Sequence, residues 1–218
     1  MSKKAILLGA SGLIGSYLLE LLLASDRFSS VTVFVRKPLG LKNEKLTEVI
    51  TDFSELPKLK ELITGDIVFS CLGSTKKKTP DLKEYRRIDH DIPVAIAKYA
   101  AENHAEQFHL ISSLGANPKA SNFYSKMKGE TEEDIKKAPI PSIHIYQPSL
   151  LRGERKEERF FEKLALQITK IVDPLLFGSF KKYRSIAIEK VAQAMFNQSL
   201  KEQKGIFTYP SDQIKELV

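Results

Sequence analysis

With a single cysteine, Cys71, the chain can form no intramolecular disulfide and no cysteine-rich zinc site. That suits a reducing compartment, and the cytoplasm is the expected location. Long hydrophobic runs are missing too. No apolar stretch approaches membrane-spanning length, and Met1-Ser2-Lys3-Lys4 leads straight into a strand-like run rather than a signal peptide. A soluble protein with no membrane partner is expected. The four histidines, His90, His104, His109 and His144, are separated and none stands at metal-helix spacing, so structural or surface roles and no metal are expected. Linkers rich in Gly, Pro or Ser, internal repeats and low-complexity tracts are absent, which in 218 residues of 42% hydrophobic content points to one domain over residues 1–218. The net charge of +7 is spread along the chain, densest at Lys76-Lys77-Lys78, with no aromatic-basic platform or recognition helix beside it. No nucleic-acid partner is expected.

What is present starts at the first strand. Lys4-Ala5-Ile6-Leu7-Leu8-Gly9-Ala10-Ser11-Gly12-Leu13-Ile14-Gly15 reads as strand, glycine turn and helix. Gly9, Gly12 and Gly15 stand three residues apart, where missing side chains permit a tight turn, close approach of backbone to a pyrophosphate and close helix packing. Backbone N–H groups at the helix start then face the phosphates. A glycine triplet alone is a weak signal, and its setting gives it weight. The next β-branched run, Val31-Thr32-Val33-Phe34-Val35, ends at Arg36-Lys37-Pro38. In a dinucleotide fold this end lies beside the adenine ribose, where a carboxylate bonds the 2′-hydroxyl of NAD and an arginine suits a 2′-phosphate. Arg36 therefore favours NADP(H) over NAD(H).

Further along, Leu46 to Thr51 reads as a strand ending at Asp52-Phe53, and a short helix precedes Ile63. Ile67 to Leu72 makes a fourth strand, released by Gly73-Ser74-Thr75; Cys71 within it reads as a small buried residue with no activating neighbour. Residues 80 to 103 are helical but interrupted. Pro93 suits the first turn of a helix capped by Asp91, which places a long helix from Asp91 to His104. Asp89 reads equally as a cap or as a holder of water near Lys128. Gln107 to Ser112 is a fifth strand, Asn122 to Lys137 a helix, and Ser142 to Tyr146 a sixth strand ending at Gln147-Pro148-Ser149. Such alternation predicts an α/β fold, a doubly wound parallel sheet with helices on both faces and its site along the carboxyl ends of the strands. From Leu151 the pattern changes to a helix over Glu154–Lys170, an irregular stretch over Asp173–Gly178, and a periodic helix with Ile188, Val191, Ala192 and Met195 on one face. A short strand over Gly205–Tyr209 and a polar tail follow. Residues 151–218 are expected to form a small substrate lid.

The candidate chemistry sits on the helix after the fifth strand. Tyr124 and Lys128 stand four apart and share a helix face, so the ammonium would favour the phenolate and suit Tyr124 to donate or accept a proton near neutral pH. Of the seven tyrosines, Tyr124 is the one with a basic residue four positions on, and it follows the Ser112-Ser113 strand end. Ser113 could hydrogen-bond the same substrate oxygen, and the set could protonate a carbonyl as NADPH delivers hydride, or run in reverse.

Gly9-x-x-Gly12-x-x-Gly15, Ser112-Ser113 and Tyr124-x-x-x-Lys128 together resemble the short-chain dehydrogenase/reductase superfamily over nearly the whole chain. The resemblance is closest to its small atypical NAD(P)-binding members, through Ser70-Cys71-Leu72-Gly73-Ser74-Thr75, Arg87-Ile88-Asp89-His90-Asp91, Leu110-Ile111-Ser112-Ser113 with Gly115-Ala116, Ser121-Asn122-Phe123 with Lys128-Gly129-Glu130, and Gln147-Pro148-Ser149-Leu150-Leu151. It implies an NAD(P)-binding, Rossmann-like fold. It also implies contacts to NADP(H) from Gly9, Ala10, Ser11, Gly12, Leu13, Ile14 and Gly15, from Arg36, Lys37, Asp52 and Phe53, from Cys71, Leu72, Gly73 and Ser112, and from Pro148, Ser149 and Leu150. Tyr124 would be the proton donor and Lys128 would hold the nicotinamide ribose. Ser113 precedes Tyr124 by eleven positions, closer than in better-known members, so either Ser112 or Ser113 could reach the substrate. Asp89 stands where many relatives have asparagine.

The leading expectation is an NADPH-dependent reductase acting on a small-molecule carbonyl or alcohol. The runner-up is an NADP(H)-binding regulatory or assembly protein that contacts a protein partner, and a nucleotide-sugar epimerase or reductase comes third because its relatives carry larger substrate domains.

Overall fold

The computed structural model describes residues 2–153, 176 and 178–218. Its strands carry apolar side chains on both sides and so need cover on both faces. In β1 (Lys3–Leu8), Ala5 and Leu7 enter one core while Ile6 and Leu8 enter the other. The same split separates Val31, Val33 and Val35 from Phe34 in β2 (Phe28–Val35), and Ile67 and Phe69 from Val68 in β4 (Ile67–Ser70). With β3 (Leu46–Ile50), β5 (Gln107–Ile111), β6 (Ser142–Gln147) and β9 (Gly205–Pro210) they form a seven-stranded sheet in the order β3-β2-β1-β4-β5-β6-β9. Its strand pairings are parallel. The order reverses between β1 and β4, and a doubly wound sheet opens its cleft at that point. A small parallel pair, β7 (Leu151–Arg152) with β8 (Ile186–Ala187), follows β6.

One face is covered by α1 (Leu13–Ala24), through Ile14, Leu18, Leu19 and Leu22, and by α5 (Ile188–Ser199), through Val191, Ala192, Ala194 and Met195. The Phe28 and Phe196 rings lie 6.2 Å apart in this layer. The other face is covered by a 3-10 turn over Leu56–Leu62, by α3 (Ile92–Glu102) and by α4 (Phe123–Lys136), with Leu59, Ile92, Ile96, Ala100 and Ile135 in its core.

Two expectations are corrected. The helix expected to begin at a capping Asp91 begins earlier, at α2 (Leu82–Arg86), where the Asp81 side chain accepts the Lys83 N–H. It runs through a π-helical turn, Arg87–Asp91, directly into α3, and Asp91 is itself helical and caps nothing. The wider turn is the physical solution to Pro93, which cannot donate to the Asp89 carbonyl four residues back and would press its ring against it. That carbonyl instead accepts the Thr131 hydroxyl at 3.2 Å. Secondly, the polar tail folds into α6 (Ser211–Glu216), which buries Ile214. Within the stretch expected to form a lid, 151–218, α5 packs on one face of the sheet and β9 extends the sheet beside β6. The helix expected over Glu154–Lys170 lies outside the described residues, as does most of the stretch expected to be irregular over Asp173–Gly178.

Candidate functional site

The carboxyl ends of β1, β4, β5 and β6 lie side by side, and the loops leaving them carry the candidate residues. At β1, Gly9 turns the chain with φ 81°, and the Gly12 N–H closes the turn on the Gly9 carbonyl at 2.9 Å. A Cβ on Gly9 would stand 2.6 Å from the Cys71 carbonyl oxygen, and one on Gly15 only 2.1 Å from the Gly9 carbonyl oxygen. Side chains at either position would force the strand end, the turn and the helix apart. At the start of α1, Gly12 provides no side-chain cap and the first turn holds no acidic residue, so neither a cap nor a carboxylate offsets the positive end of the helix. Ser11 and Gly12 are exposed there. This glycine cradle fits a pyrophosphate.

On one side of the cradle, Arg36 and Lys37 follow β2 and are exposed, while the turn after β3 carries exposed Asp52 and buried Phe53. Cys71, Leu72 and Gly73 leave β4 beside the cradle, and burial pushes the Cys71 thiol up to about 12, so it is no nucleophile.

On the other side lies the β5 end. The Ser112 hydroxyl is buried and donates to Glu132 on α4, and Gln147 at the end of β6 donates to both oxygens of the same carboxylate at 2.9 and 3.0 Å. Burial raises the Glu132 carboxyl above the usual range, against those hydrogen bonds. Ser113 is half-buried, and among the described residues its hydroxyl makes one long 3.4 Å bond, to the Leu114 carbonyl. The following loop is fastened to its surroundings: Leu114 N–H donates to Pro148 O, and Asn117 N–H to Ser125 O, each at 2.9 Å. It presses so closely on α4 that a Cβ on Gly129 would meet the Pro118 nitrogen at 2.2 Å.

Helix α4 presents Tyr124, Lys128 and Glu132 at four-residue spacing along one face. Tyr124 is 39% exposed, and its ring packs 6.4 Å from that of Tyr85, which also meets Phe123 at 5.9 Å. Lys128 is 96% buried by contrast, since only 4% of it is exposed. Its ammonium stands 2.8 Å from Asp89 Oδ1, close enough for an ion pair but out of line for a hydrogen bond. Asp89 Oδ2 accepts the Ser74 N–H at 2.7 Å. Asp89 thus caps no helix: it joins Lys128 to the loop after β4. At the β6 end, Ser149 turns its hydroxyl toward the C-terminal elements, onto Arg184 O and Ser211 Oγ, and Leu150 is exposed.

Glu132 was not among the residues singled out from the sequence. Its signal was the continuation of the Tyr124, Lys128 spacing by one more turn.

Residues 9–156 match the family model described as NAD(P)H-binding, which spans most of the chain. The chain belongs to this NAD(P)H-binding family. Among curated relatives, rat protein HTATIP2 is 29% identical over 212 residues, covering 94% of this chain and 84% of its own. The Aspergillus niger protein fmp52, mitochondrial, is 31% identical over 206 residues, covering 91% and 88%. Among solved structures, the Bordetella bronchiseptica enzyme WbmH in complex with NAD+ superposes with a TM-score of 0.72 at 16% identity, covering 96% of this chain and 75% of that one. That likeness shows the fold, a Rossmann-like NAD(P)H-binding sheet. The cytoplasmic location expected from the sequence is overturned, because several fungal members of the family are named as mitochondrial proteins. A lone cysteine fits a reducing environment but names no compartment.

Proposed function

We propose that this family member is an NADP(H)-dependent oxidoreductase that transfers hydride to or from a small carbonyl or alcohol substrate. The observation that carries the reading is the placement of Tyr124 and Lys128, one turn apart on α4. Lys128 is buried in the interior, while Tyr124 is partly exposed one turn before it. In reduction the Tyr124 hydroxyl gives its proton to the substrate oxygen as that oxygen gains negative charge, and in oxidation it takes the proton back. Ser113 donates a second hydrogen bond to the same oxygen, since the Ser112 hydroxyl is committed to Glu132. The Lys128 ammonium, held from behind by Asp89, supplies positive charge below the tyrosine and a donor for the ribose hydroxyls. The glycine cradle and the open start of α1 hold the pyrophosphate. NADP(H), when bound, supplies or accepts the hydride.

Purified protein with NADPH and a panel of small carbonyl compounds should show turnover, and Tyr124→Phe should lower it by about a hundredfold or more, the scale of one general acid, while cofactor binding persists. A Tyr124→Phe enzyme as fast as the parent would remove Tyr124 from the mechanism. Cofactor choice is tested separately. Arg36→Asp should weaken NADPH by roughly 1.5 to 3 kcal/mol, as for a lost hydrogen bond between charged groups, and spare NADH. Equal weakening of the two by titration would mean that Arg36 does not meet a 2′-phosphate.

One observation favours a second reading, an NADP(H)-binding regulatory or assembly protein that contacts a protein partner and turns over little. The ion pair with Asp89 already offsets the charge of Lys128 that a catalytic tyrosine would draw on. Tight NADPH binding without turnover across the panel would favour it.

A further inference from the structure

The first residue of the π-helical turn has no part in the chemistry above, yet it reaches the adenine end of the cleft. Arg87 engages Glu84 with a fork, Nε to Oε2 at 2.7 Å and Nη2 to Oε1 at 2.9 Å. The same guanidinium donates through Nη1 to the Phe53 carbonyl at 3.1 Å and reaches the Asp52 carbonyl through Nη2 at 3.4 Å. Those two carbonyls belong to the turn after β3, and that turn is strained, because Phe53 holds a φ of 63°, the left-handed region that side chains other than glycine disfavour. Local groups secure only its amide side: Phe53 N–H donates to Thr51 Oγ1 at 3.0 Å, and Ser54 N–H to Asp52 Oδ1 at 2.8 Å. The carbonyl side is secured from another element, by Arg87. The charges agree with the geometry, as the Arg87 guanidinium holds the Glu84 carboxyl below its usual range and Glu84 raises Arg87 in turn.

We propose that Arg87, anchored by Glu84, is the positioning residue that sets the Asp52–Phe53 turn for the adenosine half of the cofactor. The proposal rests on the reading of the cleft as an NADP(H) site. Arg87 differs from Arg36 in its consequence. Four of its five N–H donors are directed to Glu84 and the turn, so its part is to hold the turn rather than to read the 2′-phosphate, and loosening the turn weakens NADPH and NADH alike, since they share the adenosine.

The test uses Arg87→Lys, which keeps the charge and loses the fork, and Glu84→Gln, which removes the anchoring charge at a half-buried position and carries the test should Arg87→Lys not fold. Each is titrated with 5′-AMP, NADH and NADPH. Both variants should weaken all three by a common factor of about five to ten, the scale of one ordinary net hydrogen bond lost indirectly through the turn. Amide exchange at Phe53 and Ser54 of the ligand-free protein should quicken while β5 and β6 stay protected. Loss of NADPH affinity alone would make Arg87 a phosphate ligand, unchanged affinities would deny it a role, and exchange quickened everywhere would reduce the effect to general instability; each overturns the proposal. A parent protein that binds none of the three ligands instead sinks the nucleotide reading itself.

Discussion

Replacing Asp89 with Ala should lower the stability of the protein by about 3 to 5 kcal/mol, read as a fall in the denaturant midpoint at pH 7.5. Asp89 is 1% exposed and Lys128 4%, so the ammonium would be left in the interior with its counter-charge gone, and the Ser74 N–H would lose its acceptor as well. Taking an ion out of water is costly, and a buried pair roughly offsets that cost only while both partners remain. Removing both charges should therefore hurt less than removing one: Asp89→Leu with Lys128→Met should recover a good part of the loss. A deficit below about 1 kcal/mol in Asp89→Ala would mean that Lys128 escapes to water, as exposed ion pairs contribute on that smaller scale. The double variant separates the two causes, since a pair that was never desolvated gives additive effects.

The residues that could be read from the sequence share one property: their meaning is local. Gly9, Gly12 and Gly15 specify their turn by their spacing between an apolar strand and an apolar helix, and the collisions that a Cβ would meet at Gly9 and Gly15 are what the absence of side chains there anticipates. Tyr124 and Lys128 share a face because α-helical geometry puts them there. The strands were legible because Ala5 and Leu7 alternate with Ile6 and Leu8 between two cores. What stayed hidden depends on elements far apart in the chain. Asp89, expected near Lys128 only as a holder of water or else as a cap, pairs with it directly across 39 positions, and Glu132 meets Ser112 across 20; no spacing rule gives such contacts. The helix start was misplaced because Pro93 and Asp91 imitate a capped helix start, whereas the Thr131 hydroxyl on α4 satisfies the Asp89 carbonyl along the continuous path. The last strand was found, but its place as the seventh in the sheet follows from pairing with β6 rather than from its composition.

The same long-range pairing produces a second large effect, in acid. Register aligns Phe69, His109, His144 and Phe207 across β4, β5, β6 and β9, and their rings follow one another at 4.8, 4.5 and 5.0 Å. Each imidazole is held at both nitrogens: His109 lies between Gln107 Oε1 at 2.9 Å and Tyr146 OH at 3.1 Å, and His144 between Ser142 Oγ at 2.9 Å and Tyr209 OH at 3.0 Å. None of these partners is a carboxylate. Burial drives His109 well below its usual value with His144 adding to the effect, and burial, helped by Lys201, takes His144 to about 4. The folded chain thus keeps both rings neutral while the unfolded chain protonates them below about 6.5, so stability is complete above that pH and falls as pH drops toward 4. Each histidine removes up to about 1.4 kcal/mol per pH unit in that window, and His144 alone roughly 3 kcal/mol by its end. Glu132, whose carboxyl is raised by burial, works with the opposite sign and gains stability on acidification, so the total slope is not diagnostic. The difference between the parent and His144→Gln is. Urea unfolding from pH 7.5 to 4.5 should show a gap that is constant above pH 7 and shifts in favour of the variant by about 1.4 kcal/mol per unit below 6.5. Parallel curves down to pH 4.5 would mean that His144 takes up its proton in the folded chain as readily as in the unfolded one, and the neutral stack would not describe the protein in solution.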